Sequence, residues 1–193
     1  MSLPMTRDWF DRPAVTVARD LLGRHLEMPD GVTLRIIETE AYTGDDTACH
    51  AHRGQTPRNA PLFGPPGHLY VYLCYGIHHL LNLVTDADGT VGCVLVRGCT
   101  IVTGHEHVLA RRSGRADLRG PGKVGQALDL STGWSGQALA WTRPLSSMAV
   151  TPGTPVDAFH TTPRVGIDYA EPVDRDRPWR FVAGHPRTRR RGK

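Results

Sequence analysis

The sequence predicts a single-domain fold of the mixed α/β (α+β) class, built on an antiparallel sheet. Three observations predict it. A chain of 193 residues with 39% apolar content suits one domain with a sizeable buried core. Its 21 Gly and 15 Pro form about a fifth of the chain, high for a helical bundle and suited to loop-rich β structure. Three strand-like apolar runs follow one another at hairpin spacing between residues 68 and 98.

Residues 8–23 read as the first helix. Asp11 can cap it, Pro13 suits a first turn, and Val15, Ala18, Leu21 and Leu22 form an apolar stripe that Gly23 can end. Residues 33–42, TLRIIETEAY, have the β-branched content and alternation of a strand. Period two puts Ile36, Glu38, Glu40 and Tyr42 on one face. Residues 43–67 show no periodicity, and a loop of that length inside a compact domain is commonly functional.

Residues 68–75 and 77–84 are expected to be strands joined by a tight turn at Tyr75-Gly76. Asp86-Ala-Asp-Gly89 makes the next turn, and 91–98 a third strand. A short helix is expected over 104–112, and Gly120-Pro-Gly-Lys123 leads into another. Short strands are expected at Arg164–Asp168 and Trp179–Ala183. No internal repeat and no second domain boundary is visible, so residues 1–186 are expected to form the domain.

The formal net charge of +4 belongs to the end of the chain. Residues 187–193 hold five basic side chains and no acid, and are expected to be a disordered tail. Without them, 18 basic side chains face 19 acidic ones. Residues 50–130 carry a second local excess, 8 Lys/Arg against 5 Asp/Glu, which suits an anionic partner such as nucleic acid. No run approaches the roughly 18–20 apolar residues of a membrane span, and the N-terminus lacks the apolar segment of a secretory signal. Four Cys without a CxxC pair suggest no disulfide framework. An intracellular protein follows, expected in a bacterial cytoplasm as a monomer, with no membrane contact.

Four of the five tyrosines, Tyr42, Tyr70, Tyr72 and Tyr75, fall within 34 residues, close to Glu38, Glu40, His50 and His52. Aromatic faces beside an acid are what a protein needs to hold a planar base while a bond to it is cut. Strand tyrosines also pack at core edges; the neighbouring Glu-x-Glu is what favours a site. Cys49, His50, His52, Asp45 and Asp46 are zinc ligands by type, but their spacing fits no closed zinc pattern. His78 and His79 point to opposite faces of their strand. No metal and no cofactor is therefore expected. No GxSxG is present, and Gly120-Pro-Gly-Lys123 lacks Walker spacing, although it could grip one DNA phosphate through Lys123.

Arg35-Ile-Ile-Glu-Thr-Glu-Ala-Tyr42, then Arg53-Gly-Gln-Thr-Pro-Arg-Asn59, then Gly67-His-Leu-Tyr-Val-Tyr-Leu-Cys-Tyr-Gly76 with Asn82, and Cys93-Val-Leu-Val-Arg97 follow in order. This series resembles the alkyladenine (3-methyladenine) DNA glycosylase family. Gly120–Leu128 and Arg164-Val-Gly-Ile167 fit its later motifs. The resemblance implies a curved antiparallel sheet with surrounding helices and a protruding β-hairpin. It implies a monofunctional enzyme acting on double-stranded DNA that contains damaged purines. Such an enzyme flips 3-methyladenine, 7-methylguanine, hypoxanthine or ethenoadenine out of the duplex and hydrolyses the N-glycosidic bond.

By the same resemblance, Glu40 activates the water and Arg97 sits near it. Tyr42 and Tyr72 sandwich the base, His50 contacts it, and Asn82 disfavours the guanine amino group. Tyr75 is wedged into the duplex. The interval from Tyr42 to His50 is one residue shorter than in the mammalian form, which leaves His52 as a rival to His50. Glu38 has no assigned role. Two alternatives are a metal-dependent nuclease using Glu38, Glu40, Asp45 and Asp46, and a damage- or RNA-binding module without catalysis.

Overall fold

The computed structural model describes residues 2–86 and 90–185. The tail, 187–193, and most of the turn expected at 86–89 lie outside the described residues. The order of elements begins with α1 (Arg7–Phe10), α2 (Ala14–Asp20), β1 (His25–Glu27) and β2 (Thr33–Thr43). It continues with β3 (Leu69–Cys74), β4 (His78–Thr85), β5 (Gly92–Thr103), α3 (His105–Arg111), β6 (Leu118–Arg119) and α4 (Pro121–Ala127). The chain finishes with β7 (Ala149–Thr151), β8 (Phe159–Thr162), α5 (Pro172–Arg175) and β9 (Arg180–Ala183).

Among the described residues, nine strands form one curled sheet in which every pairing is antiparallel. Its main path runs β3-β4-β5-β2-β1-β7. β2 is a fork. Its first residues, Thr33–Arg35, pair with β1, and Glu38–Glu40 pair with β9, which carries β8 beyond it. The other side of β2 pairs with β5 along nearly its whole length.

Alternation gives β3, β4 and β5 two different faces. Leu69, Val71, Leu81, Leu83, Val94 and Val96 join the main core with Val17 and Ala18 of α2, Leu21 just after it, and Val124 and Ala127 of α4. Burying each such side chain contributes roughly 1.5–3 kcal/mol. The opposite face carries Tyr70, Val84 and Cys93, covered by Cys49, Ala51 and Leu62 from the 43–67 segment. That segment contains only one turn of 3₁₀ helix, Ala60–Phe63. Gly125 lets α4 sit tightly on β4, since a Cβ there would lie 1.9 Å from the carbonyl oxygen of His79.

Several expectations need correction. The helix expected over 8–23 is two helices, interrupted before Pro13. Pro13 has no N–H to donate and disfavours helical backbone in the preceding residue. Asp11 ends α1 rather than capping its start, and the first N–H of α2, that of Ala14, is accepted by Asp86 Oδ2 at 3.1 Å. Residues 164–168 form turns, and the strand that pairs with β9 is β8 instead. The sheet register shifts on both sides of Glu38. Ile36 therefore enters the main core with Ala41, leaving Glu38, Glu40 and Tyr42 on the opposite face. β-Bulges commonly re-aim side chains in this way next to active sites.

Candidate active site

The site grows from one row across the sheet. Tyr70 on β3 lies opposite Asn82 on β4, Asn82 opposite Leu95 on β5, Leu95 opposite Glu40 on β2, and Glu40 opposite Arg180 on β9. Two residues from this row, on the same face, stand Tyr72, Leu80 and Arg97 on one side and Tyr42, opposite Cys93, on the other. All four line a cavity of about 250 Å³, together with Tyr70, Asn82, Cys93 and Leu95. His50, Cys49 and Ala48 close it from the 43–67 segment, and Val165, Gly166, Ile167 and Tyr169 from the turns after Arg164.

Glu40 lies beneath this wall and has no solvent exposure. Its Oε2 accepts hydrogen bonds from the Tyr42 hydroxyl (2.9 Å) and from Arg97 Nη1 (3.2 Å). Its Oε1 accepts the Val165 N–H at 2.8 Å. Burial pushes the Glu40 carboxyl above its ordinary range, opposed first by the Arg97 charge and then by these hydrogen bonds. Arg97 also donates from Nε to Glu38 Oε1 at 3.1 Å.

Tyr42 is backed by a cation. The Arg164 guanidinium lies 4.6 Å from its ring centroid and 5.3 Å from that of Trp179. Arg164 is fully buried and makes a bidentate pair with Asp46. It also donates to the carbonyl oxygens of Ala41 and Asp174, both at distances near 3 Å (2.9 and 3.0 Å). Asp174 in turn accepts the Thr47 N–H at 2.9 Å. Strand β2, the turn after it and the 164–174 segment are thereby tied together.

The other aromatic groups form a cluster. Tyr70 and Tyr72 stack at 5.4 Å, and the His50 ring stands edge-on to Tyr72 at 4.5 Å. His50 Nδ1 lies 2.9 Å from the Tyr70 hydroxyl. Desolvation beside the tyrosines, and then the Arg58 charge, lower the His50 pKa from its ordinary value. Burial raises the Tyr42, Tyr70 and Tyr72 hydroxyls well above their ordinary value, so all three stay protonated. The loop carrying His50 is stapled by Asn59, whose Nδ2 donates to the carbonyls of His50 (2.8 Å) and Gly54 (3.0 Å).

Tyr75 stands at the β3–β4 turn, where the Ile77 N–H bonds the Cys74 carbonyl at 3.1 Å. Both central residues have positive φ, 49° for Tyr75 and 73° for Gly76. This is unusual for a bulky residue. Tyr75 is 91% exposed and reaches the cavity rim.

The structure thus brings Tyr42, His50, Tyr72, Tyr75, Asn82 and Arg97 to one cavity, with Glu40 behind its wall. His52 is exposed and lines an adjoining groove instead. Lys123 pairs with Asp117 and borders a second groove that also touches Tyr75. Asp46 is committed to Arg164, away from Glu38 and Glu40, so the four carboxylates of the nuclease alternative do not converge. Among the described residues, no cluster of three or more His, Cys, Asp or Glu could hold a metal ion.

Residue-type reasoning missed Arg164, Val165, Tyr169 and Arg180. Arg164 and Val165 stand in a run that matches a family motif, and only that gave them any signal. The carboxylate partners of Arg164 and Arg180, Asp46 and Glu38, lie more than 100 residues away in sequence.

Comparison with known proteins agrees with this geometry. The methylpurine-DNA glycosylase family pattern matches residues 8–186. A protein of Nitrosococcus oceani named as a 3-methyladenine DNA glycosylase is 51% identical over 178 residues, covering 90% of this chain and 87% of its own. The DNA-3-methyladenine glycosylase of Arabidopsis thaliana is 47% identical over 182 residues, covering 92% of this chain and 70% of its own. A similarly named protein of Methanocella arvoryzae is 43% identical over 185 residues, covering 92% and 90%. A match over nearly the whole chain places this protein in the methylpurine-DNA glycosylase family.

Proposed function

We propose that this DNA glycosylase flips a damaged purine out of duplex DNA into the Tyr42–Tyr72 cavity and hydrolyses its N-glycosidic bond with water activated by Glu40. The substrate class is alkylated or deaminated purines: 3-methyladenine, 7-methylguanine, hypoxanthine and ethenoadenine. The observation that carries the reading is the junction of an aromatic cavity with a buried carboxylate through shared residues. Tyr42 and Arg97 each line the cavity and each bond Glu40.

The chemistry suits these groups. Breaking the C1′–N bond builds oxocarbenium character on the sugar, as in glycoside hydrolysis. A carboxylate nearby stabilises that charge and accepts the proton of the attacking water. Oε2 of Glu40 already accepts two hydrogen bonds, whereas Oε1 accepts only the Val165 N–H. A water held on Oε1 would enter between Val165 and Arg97, both part of the cavity wall.

Stacking on tyrosine contributes roughly 1–3 kcal/mol per base. That offsets the few kcal/mol of unstacking, which is least for a damaged base. Asn82 is fixed by its bond to the Tyr70 carbonyl (3.1 Å), so its amide presents a set pattern to the base. An exposed Tyr75 would fill the gap left in the duplex.

The test is base release from a panel of single-lesion duplexes, with and without EDTA, using wild type and Glu40→Gln. Release that ignores EDTA and disappears in Glu40→Gln, with duplex binding retained, supports the reading. EDTA-sensitive strand cutting would favour the nuclease, and binding without release the non-catalytic module. Retained release in Glu40→Gln, with loss in Glu38→Gln, would show the wrong carboxylate was chosen.

A further inference from the structure

We propose that Glu38 is a positioning residue that fixes the Arg97 guanidinium between the cavity and Glu40. This rests on the reading of Glu40 as the general base. Glu38 Oε1 accepts hydrogen bonds from two guanidinium Nε atoms, Arg97 at 3.1 Å and Arg180 at 2.7 Å. Arg97 uses Nη1 for Glu40 at 3.2 Å. The Arg fork is planar, so anchoring Nε to one carboxylate and Nη1 to another fixes the rotation of its head. Without Glu38, Glu40 is the one remaining partner in this network, and the flexible side chain can turn into the cavity.

The surroundings are built for this arrangement. Glu38 shares the face of Glu40, two residues on, while the register shifts flanking Glu38 send Ile36 to the main core. Gly98 lies opposite, where a Cβ would stand 3.1 Å from the Glu38 Cβ and 3.4 Å from its Oε2. Arg180 is held from its far side, donating from Nη1 to Thr162 Oγ1 at 3.1 Å. Glu38 and Arg97 are each 13% exposed, so their pairing is weakly screened. Glu38 does not line the cavity, and acts on the reaction only through Arg97.

The test is single-turnover release of hypoxanthine from a lesion duplex across pH. The variants are Glu38→Gln, Glu38→Ala, Arg97→Ala, the double Glu38→Ala/Arg97→Ala, and Glu40→Gln. The groups around Glu40 are Arg97 from β5, Glu38 and Tyr42 on its own strand, and Arg164 with the Val165 N–H from the 164–167 segment, with Arg180 from β9 held on Glu38. Glu38→Gln keeps an acceptor for Arg97 and removes one negative charge near Glu40. Its rate at neutral pH is expected to stay near wild type, with the acid limb moved to lower pH. Glu38→Ala frees Arg97 and is expected to lose on the order of 10²-fold in rate at unchanged duplex affinity, with the acid limb moved to higher pH.

In the Arg97→Ala background, Glu38→Ala is expected to add no further loss. Additive losses in that cycle, or a wild-type rate and pH profile in Glu38→Ala, would overturn the proposal. Where Glu38→Ala does not fold, the acid limb of Glu38→Gln decides: an unmoved limb overturns it. Activity retained in Glu40→Gln would instead sink the underlying reading of Glu40, a distinct result.

Discussion

The Tyr42 hydroxyl donates a 2.9 Å hydrogen bond to Oε2 of Glu40, two residues earlier on the same strand. One side chain therefore offers its ring to the cavity and its oxygen to the carboxylate. Binding and chemistry share a residue, and a change of one atom can separate them.

Tyr42→Phe keeps the ring and removes the hydrogen bond, one of the interactions that hold the Glu40 carboxyl down. A base works only when ionised, so activity falls as pH drops through the Glu40 pKa, which burial already raises above its ordinary range. The variant is expected to move this acid limb to higher pH, with about a tenfold lower rate on the limb, roughly 1.4 kcal/mol. Affinity for lesion duplex should hold. A pH–rate profile of base release checks it, and an unmoved limb would remove Tyr42 from control of Glu40.

Tyr75→Ala removes a side chain that touches almost nothing within the protein. Thermal stability is expected to remain unchanged, while the flipped population falls by about tenfold, a difference of ~1.4 kcal/mol. Fluorescence of 2-aminopurine beside the lesion reports it. Tyr75→Gly should show the same flipping defect with raised stability, since left-handed backbone costs a non-glycine residue roughly 1–2 kcal/mol. Unchanged flipping in both variants would reject the wedge.

Arg164→Ala strands Asp46 as a buried carboxylate without its cation. Breaking a buried pair from one side costs about 3–5 kcal/mol. A urea unfolding curve with a clearly lower midpoint is expected, together with weaker base release as Tyr42 loses its backing. A midpoint equal to wild type would mean that Asp46 finds another partner.

The reaction is expected to end at an intact abasic site. A lyase step needs an amine nucleophile, and Lys occurs only at positions 123 and 193. Lys123 is half-exposed and paired with Asp117, far from the desolvated setting that makes an amine nucleophilic. Borohydride should trap no adduct on a lesion duplex. An adduct and strand nicking, both lost in Lys123→Ala, would move catalysis away from water.

The sequence made some of this site legible and hid the rest for physical reasons. Period two on β3, β4 and β5 suffices to set Tyr70, Tyr72, Asn82 and Arg97 on the face that became the cavity wall. On β2 the same rule fails at Glu38. A bulge depends on what pairs opposite, and simple alternation wrongly places Ile36 beside the carboxylates. The resemblance named Glu40 and Tyr42, while the residues that hold them, Arg164 and Val165, sit in turns whose partners are set by tertiary folding. Strands β1, β7 and β8 have four residues or fewer, too short for periodicity to register.

The fork in β2 has a consequence for synthesis on the ribosome. The residues that neutralise and clamp the centre, Arg164 and Arg180, lie 118 and 142 positions after Asp46 and Glu38. Until β9 has emerged, Glu38 lacks one of its two cations and the β9 side of the fork is open. Long-range pairings of this kind form slowly. A nascent or prematurely terminated chain can therefore set out the tyrosines of β2 and β3 well before residues 165–169 enclose them and Arg180 completes the charge network. Competence arrives with almost the last part of the described chain, so incomplete copies would display the tyrosines without the groups that enclose a base and order the carboxylates.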